Sequence, residues 1–126
     1  MTMEYIPNIA TIIHQDFTRL TPLVTVREAI DALLKDRATE AYVLDQDDRF
    51  VGKLSIQDLL LAKQDILVTE HFQIDVISIK SDASLQQAME VAVNFVGESI
   101  PIIDRENNQM LGIVTEADLF KDYLAL

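Results

Sequence analysis

Two short stretches hold the residue types that can do chemistry. Residues 111–119 read LGIVTEADL and residues 51–59 read VGKLSIQDL. Each sets a hydroxyl three residues before an aspartate, Thr115 with Asp118 and Ser55 with Asp58. That spacing supports two jobs. One is local: the hydroxyl accepts from a backbone amide of the helix it precedes while the acidic side chain reaches back, forming a capping box. The other is recognition: a helix N-terminus offers unpaired amides and the positive end of a dipole to a phosphate, and a carboxylate one turn in accepts hydrogen bonds from ligand hydroxyls. The two jobs are compatible, and an open cleft beside them would decide which dominates. Gly112 also has two readings, a bulge or bend in a strand or a backbone bared to let a ligand approach.

Other chemistries are poorly served. His14 and His71 have no partner at metal-ligand spacing. The chain contains no cysteine, which removes thiolate nucleophiles, disulfides and Cys-based zinc sites and points to a reducing, cytoplasmic setting. No nucleophile elbow is present, and no set of nucleophile, base and oxyanion donors can be assembled, so an enzyme is not expected. Asp45, Asp47 and Asp48 resemble a calcium loop but lack its glycine and distal glutamate; a solvated hairpin turn explains them better. A net charge of −11 argues against nucleic acid as a partner. It also repels any free anion at long range, so an anionic ligand needs local donors or a cation such as Mg2+. The apolar runs, such as LLLA at 59–62, are too short to span a bilayer, and the N-terminal residues do not spell a signal peptide. A cytosolic domain of an inner-membrane protein fits the same features.

The elements that must position these residues occur twice. Val26, Ala29, Ile30, Leu33 and Leu34 share their helical spacing with Leu85, Ala88, Met89, Ala92 and Val93, 59 residues later. Thr25-x-x-Glu28 and Ser84-x-x-Gln87 begin the two helices as capping boxes. Each helix leads to an aliphatic strand, AYVLD at 41–45 or IPIID at 100–104, then a polar turn, then a second strand, FVGKL at 50–54 or MLGIV at 110–114. So short a polar interval predicts hairpins. A short strand precedes each helix, at about 18–20 and 76–79, and the Ser55 and Thr115 motifs open a further helix in each unit. Ile6, Ile9, Ile12 and Ile13 suggest an additional N-terminal helix over 6–14. The predicted class is α/β (α+β), with an N-terminal extension at 1–16 and repeats at 17–66 and 67–126. Units of roughly 50 residues are too small for independent cores, which predicts that they pack face to face as one pseudo-symmetric domain.

The stretches VISIKSDASLQQAM, IPIID and LGIVTEADLF resemble a CBS domain, and VTVREAIDALL, AYVLD and VGKLSIQDLL resemble its tandem partner, covering residues 17 to 124. The ordered repetition of all three pieces carries the resemblance. It implies two β-α-β-β-α repeats with two clefts, a regulatory role, and binding of AMP, ADP, ATP or S-adenosylmethionine, with the signal passed to an enzyme or transporter. It also implies a flat homodimer. FVGESIPIID, EAYVLD and GKLS further resemble the cytosolic pair of some bacterial chloride channels and antiporters. A ligand-free dimerisation domain is the alternative.

Carried onto this chain, the resemblance assigns the second site to Ser78, Ile79, Ile100, Pro101, Thr115 and Asp118. Asp118 would accept from the ribose hydroxyls, and the aliphatic residues would sandwich the adenine. Ile79 and Ile100 would be apolar in an ordinary core as well. In the first repeat Ser55 and Asp58 persist, but Arg19 stands at the position of Ser78, Tyr42 at that of Pro101 and Lys53 at that of Ile113. Arg19 and Tyr42 would fill that cleft, or Arg19 and Lys53 would supply cations for phosphates; a solvated surface lysine is the default for Lys53.

Overall fold

The structure, a computed structural model, describes residues 9–72, 76–95 and 97–124. Its described residues form two compact units, one of residues 16–76 and one in which residues 77–126 are joined by the segment up to Gln15.

In the first unit, β1 (Thr18–Leu20) leads through α1 (Val26–Asp36) to β2 (Glu40–Leu44), and a hairpin turn leads on to β3 (Phe50–Ser55) and α2 (Ile56–Leu60). The sheet order is β1-β2-β3, parallel then antiparallel. The capping box at Thr25 forms as spelled: Glu28 N donates to Thr25 Oγ1 at 3.2 Å and Thr25 N donates to Glu28 Oε1 at 3.0 Å. The apolar stripe of α1, Val26, Ala29, Ile30 and Leu33, packs with Leu20, Val43, Leu54 and Leu59 into one core. Val68, from a 3-10 turn at Val68–Glu70, completes that core.

The second unit repeats the pattern with β4 (Ile79–Lys80), α3 (Leu85–Val93), β5 (Ile100–Ile103), β6 (Met110–Val114) and α4 (Glu116–Leu124). Its order is β4-β5-β6, again parallel then antiparallel. Ser84 and Gln87 close the second capping box. Both hairpins shift register at the same place, between Val43 and Leu44 and between Ile102 and Ile103, which is a bulge one residue before Gly52 or Gly112. Both turns are organised by their first aspartate. Asp45 Oδ1 accepts from the amides of Asp47 and Arg49, and Asp104 Oδ1 from those of Glu106 and Asn107, leaving Asp48 and Asn108 at positive φ.

The N-terminal segment departs from expectation. Instead of a helix over 6–14, residues Ile9–Ile12 make one 3-10 turn and the chain then extends; Ile6 lies outside the described residues. The extension has a cause: His14 exchanges two backbone hydrogen bonds with Ile113, at 2.8 and 2.9 Å. Ile9, 1% exposed, joins the core of Ile79, Leu85, Ile100, Ile102 and Leu119. Gly112 is the condition for this pairing. A Cβ there would collide with Ile13 Cγ2 and lie 2.6 Å from the His14 carbonyl oxygen. The bulge reading of Gly112 holds, and the residue is needed besides for the close approach of the chain's own backbone, which neither sequence reading contained.

Lys53 also departs from expectation. It is neither solvated nor a free cation: its side chain is 6% exposed and its Nζ lies 2.6 Å from Glu40 Oε2, itself 13% exposed. Position 53 faces inward because the antiparallel register sets it opposite the buried Tyr42.

Two outcomes follow from these contacts. Gly112→Ala should destabilise the protein by about 1–3 kcal/mol, the usual range for overpacking a site that cannot give way, as read from urea unfolding. Lys53→Ala should cost about 3–5 kcal/mol by stranding a buried carboxylate, and the double change Lys53→Met with Glu40→Leu should recover most of that loss in the same assay.

Candidate functional site

The residues that could do chemistry gather at the start of α4. Val114 is buried at the end of β6, so the strand delivers Thr115 to the sheet's end and the helix begins at once. Thr115 and Asp118 make the reciprocal cap. Asp118 N donates to Thr115 Oγ1 at 3.1 Å, and the Thr115 amide and hydroxyl donate back to Asp118 Oδ2 at 3.3 and 2.8 Å. The local job is therefore real, and it places a carboxylate where a phosphate would otherwise meet the helix end.

His14 adds a contact that sequence reasoning missed. Its Nε2 lies 2.8 Å from Asp118 Oδ2, joining residues 104 apart. Nothing in the local spelling around His14 signals this, because it depends on the long-range pairing of residues 14 and 113. The Asp118 side chain is 29% exposed and that of His14 50%. Partial burial, the largest influence on Asp118, works to raise its pKa, but the hydrogen bonds from the Thr115 hydroxyl and amide and from His14 together outweigh it. The carboxyl is held below its ordinary value. Three donors thus converge on Oδ2, while none of these bonds falls on Oδ1.

The other expected residues are distributed unevenly. Pro101 pairs with Ile113 and Ile100 with Val114, so β5 runs beside the approach to Thr115. Ile79, Ile100 and Pro101 are buried, and the first two belong to the core cluster. Ser78 and Ile79 line a cleft of about 550 Å3 between the β4 edge and α3, with Lys80, Gln87, Glu90 and Arg105. Thr115 and Asp118 are not part of its lining.

In the first repeat the position equivalent to Pro101 is packed. Tyr42 is buried, edge-on to Phe17 at 5.6 Å and tilted against Phe50 at 6.2 Å. Arg19 lays its guanidinium 4.6 Å over the Phe17 ring. Ser55 caps α2 by accepting from Asp58 N at 3.2 Å, and Asp58 is exposed. Of the residues weighed for this repeat, Tyr42 is buried among aromatic rings, Arg19 is exposed, and Lys53 is committed to Glu40.

Residues 9–65 and 68–125 each match the family model of the CBS domain. Among curated proteins, the chain is 28% identical over 111 residues to inosine-5'-monophosphate dehydrogenase of Methanocaldococcus jannaschii, covering 87% of this chain and 22% of that protein. It is 28% identical over 110 residues to the magnesium transporter MgtE of Enterococcus faecalis, covering 82% and 24%. The chain thus spans about a quarter or less of the length of these relatives. Among solved structures, the cytosolic domain of the Mg2+ channel MgtE in complex with ATP superposes with a TM-score of 0.82 at 22% identity, over 91% of this chain and 48% of that one. CBSX2 in complex with AMP superposes at 0.78 and 17% identity, over 94% and 96%. Such low identities speak to the fold. With both repeats matched by the family model and the strand and helix order reproduced in each, the chain belongs to the CBS-domain family as a tandem pair of its repeats.

Proposed function

We propose that this CBS pair is a regulatory module that binds one adenine nucleotide or adenosyl compound per chain, at the second repeat, and passes occupancy to an attached or partner enzyme or transporter. The observation that carries the reading is the Asp118 carboxylate. It is partly exposed at the helix start, kept ionised by its donors, and has an oxygen that none of those donors uses. A ribose supplies two adjacent hydroxyl donors for such an acceptor. The ATP and AMP bound by two similarly folded proteins support this ligand class.

Charge orders the ligands. At −11 the chain disfavours polyanions. AMP and the cationic S-adenosylmethionine therefore fit better than ADP or ATP, which would come with Mg2+ to lower their charge. The packed Tyr42 and the Lys53–Glu40 pair leave the first repeat a structural role, which is the part of the ligand-free alternative that the side chains favour. For the effector, a magnesium transporter or a nucleotide-metabolising enzyme agrees with the relatives better than a chloride channel does, and the module would then work in the cytoplasm.

A homodimer would supply the mechanism, since a ligand shifts an assembly only by binding one arrangement more tightly. Leu34 and Leu60 on the first unit's helices, and Val93 and Phe120 at the equivalent positions of the second, are exposed large apolar residues. The recurrence of apolar side chains at both pairs of positions suits self-association through helical faces. Leu60→Glu combined with Phe120→Glu should convert a dimer to a monomer in sedimentation velocity; an unchanged sedimentation coefficient would place the interface elsewhere.

Isothermal titration tests the ligand. AMP should bind with a stoichiometry near one per chain, and Asp118→Ala should weaken binding at least tenfold, given the usual worth of hydrogen bonds to a charged acceptor. An absence of heat from AMP, ATP and S-adenosylmethionine alike would leave the dimerisation reading.

A further inference from the structure

We infer that His14 is the positioning residue for Asp118, orienting its carboxylate so that Oδ1 is presented to a ligand's neighbouring hydroxyls. The inference rests on the ligand reading just given and adds to it a residue from outside the Gly-x-x-Thr-x-x-Asp stretch.

The geometry separates His14 from the cap. Thr115 reaches Asp118 through bonds three residues apart, which any capping box would form. These two bonds restrain the carboxylate from one side. His14 approaches the same oxygen from a different segment. With donors converging on Oδ2 from both segments, rotation about the terminal torsion, which is soft in aspartate, would break at least one bond. Oδ1 then stays where the cap and the imidazole leave it.

Stability does not account for the contact. The His14 side chain is half-exposed and that of Asp118 partly so, and solvent-accessible pairs of this kind contribute little to folding. The imidazole is nevertheless held in place, because its own backbone is locked to Ile113 by two hydrogen bonds and its neighbour Ile13 packs over Gly112. Donation from Nε2 requires a proton there, which both the Nε2–H tautomer and the cation provide. A preorganised acceptor binds more tightly because less rotational freedom is lost on association.

The experiment is a titration series with AMP and 2'-deoxy-AMP against wild type, His14→Ala, His14→Gln and Asp118→Ala, with thermal melts confirming that each variant folds. His14→Ala should weaken AMP by about 2- to 10-fold, the worth of one hydrogen bond. His14→Gln, whose amide can donate to the same oxygen, should recover most of that loss. The His14→Ala effect should shrink for 2'-deoxy-AMP and vanish when combined with Asp118→Ala. Equal AMP affinity in wild type and His14→Ala would overturn the inference while leaving the ligand reading intact, as would a loss that persists without Asp118. If wild type binds none of AMP, ATP and S-adenosylmethionine, the ligand reading fails by itself. The positioning role is then read from the 13C signal of the Asp118 carboxyl: its titration should move to higher pH in His14→Ala and return in His14→Gln. No movement would overturn it.

Discussion

The backbone pairing of His14 with Ile113 is the constraint on which the second unit depends. It ties the N-terminal segment to the last strand of the chain, across nearly the full sequence. Closing so long a loop costs conformational entropy that grows only slowly with length. Burial of Ile9 contributes on the order of 1.5–3 kcal/mol against it, and each of the two backbone bonds adds about 0.5–1.5 kcal/mol. Gly112 is the geometric permission for this arrangement. Without it, β6 would keep its bulge but lose its neighbour, and the candidate site would lose His14.

The same physics lets the two repeats agree in fold while differing in the side chains at their centres. Both carry a capping box at the first helix, a bulged hairpin and an aspartate-organised turn. These local devices tolerate wide change elsewhere. The first repeat has spent its central positions on packing, with Tyr42 among aromatic rings and Lys53 against Glu40. The second keeps Pro101 and Ile113 there, and leaves a partly exposed carboxylate at the end of the sheet. Under the proposed function, divergence of a few side chains separates a structural half from a binding half on one scaffold.

Much of this was legible from residue spacing. The helical stripes of α1 and α3, the hairpins and the caps at Thr25, Ser84 and Thr115 follow from interactions within four residues or across a tight turn. The inward side of Lys53 was not legible, since charged side chains default to solvent and only the register opposite Tyr42 reverses that. The N-terminal isoleucines read as a helix because their spacing fits one, yet tertiary pairing imposed a 3-10 turn and an extended residue. His14 escaped notice for the same reason.

The amino-acid sequence by itself determined the repeat, the class of fold and the pairing of Thr115 with Asp118, because each is encoded in periodicity or in contacts a few residues apart. Only the tertiary structure decided that Gly112 serves a backbone neighbour, that Lys53 is buried in an ion pair, and that a histidine 104 residues away shares the Asp118 oxygen. Those outcomes depend on which distant segments meet, and strand register and chain closure set that meeting through burial of surface whose partner no local pattern names.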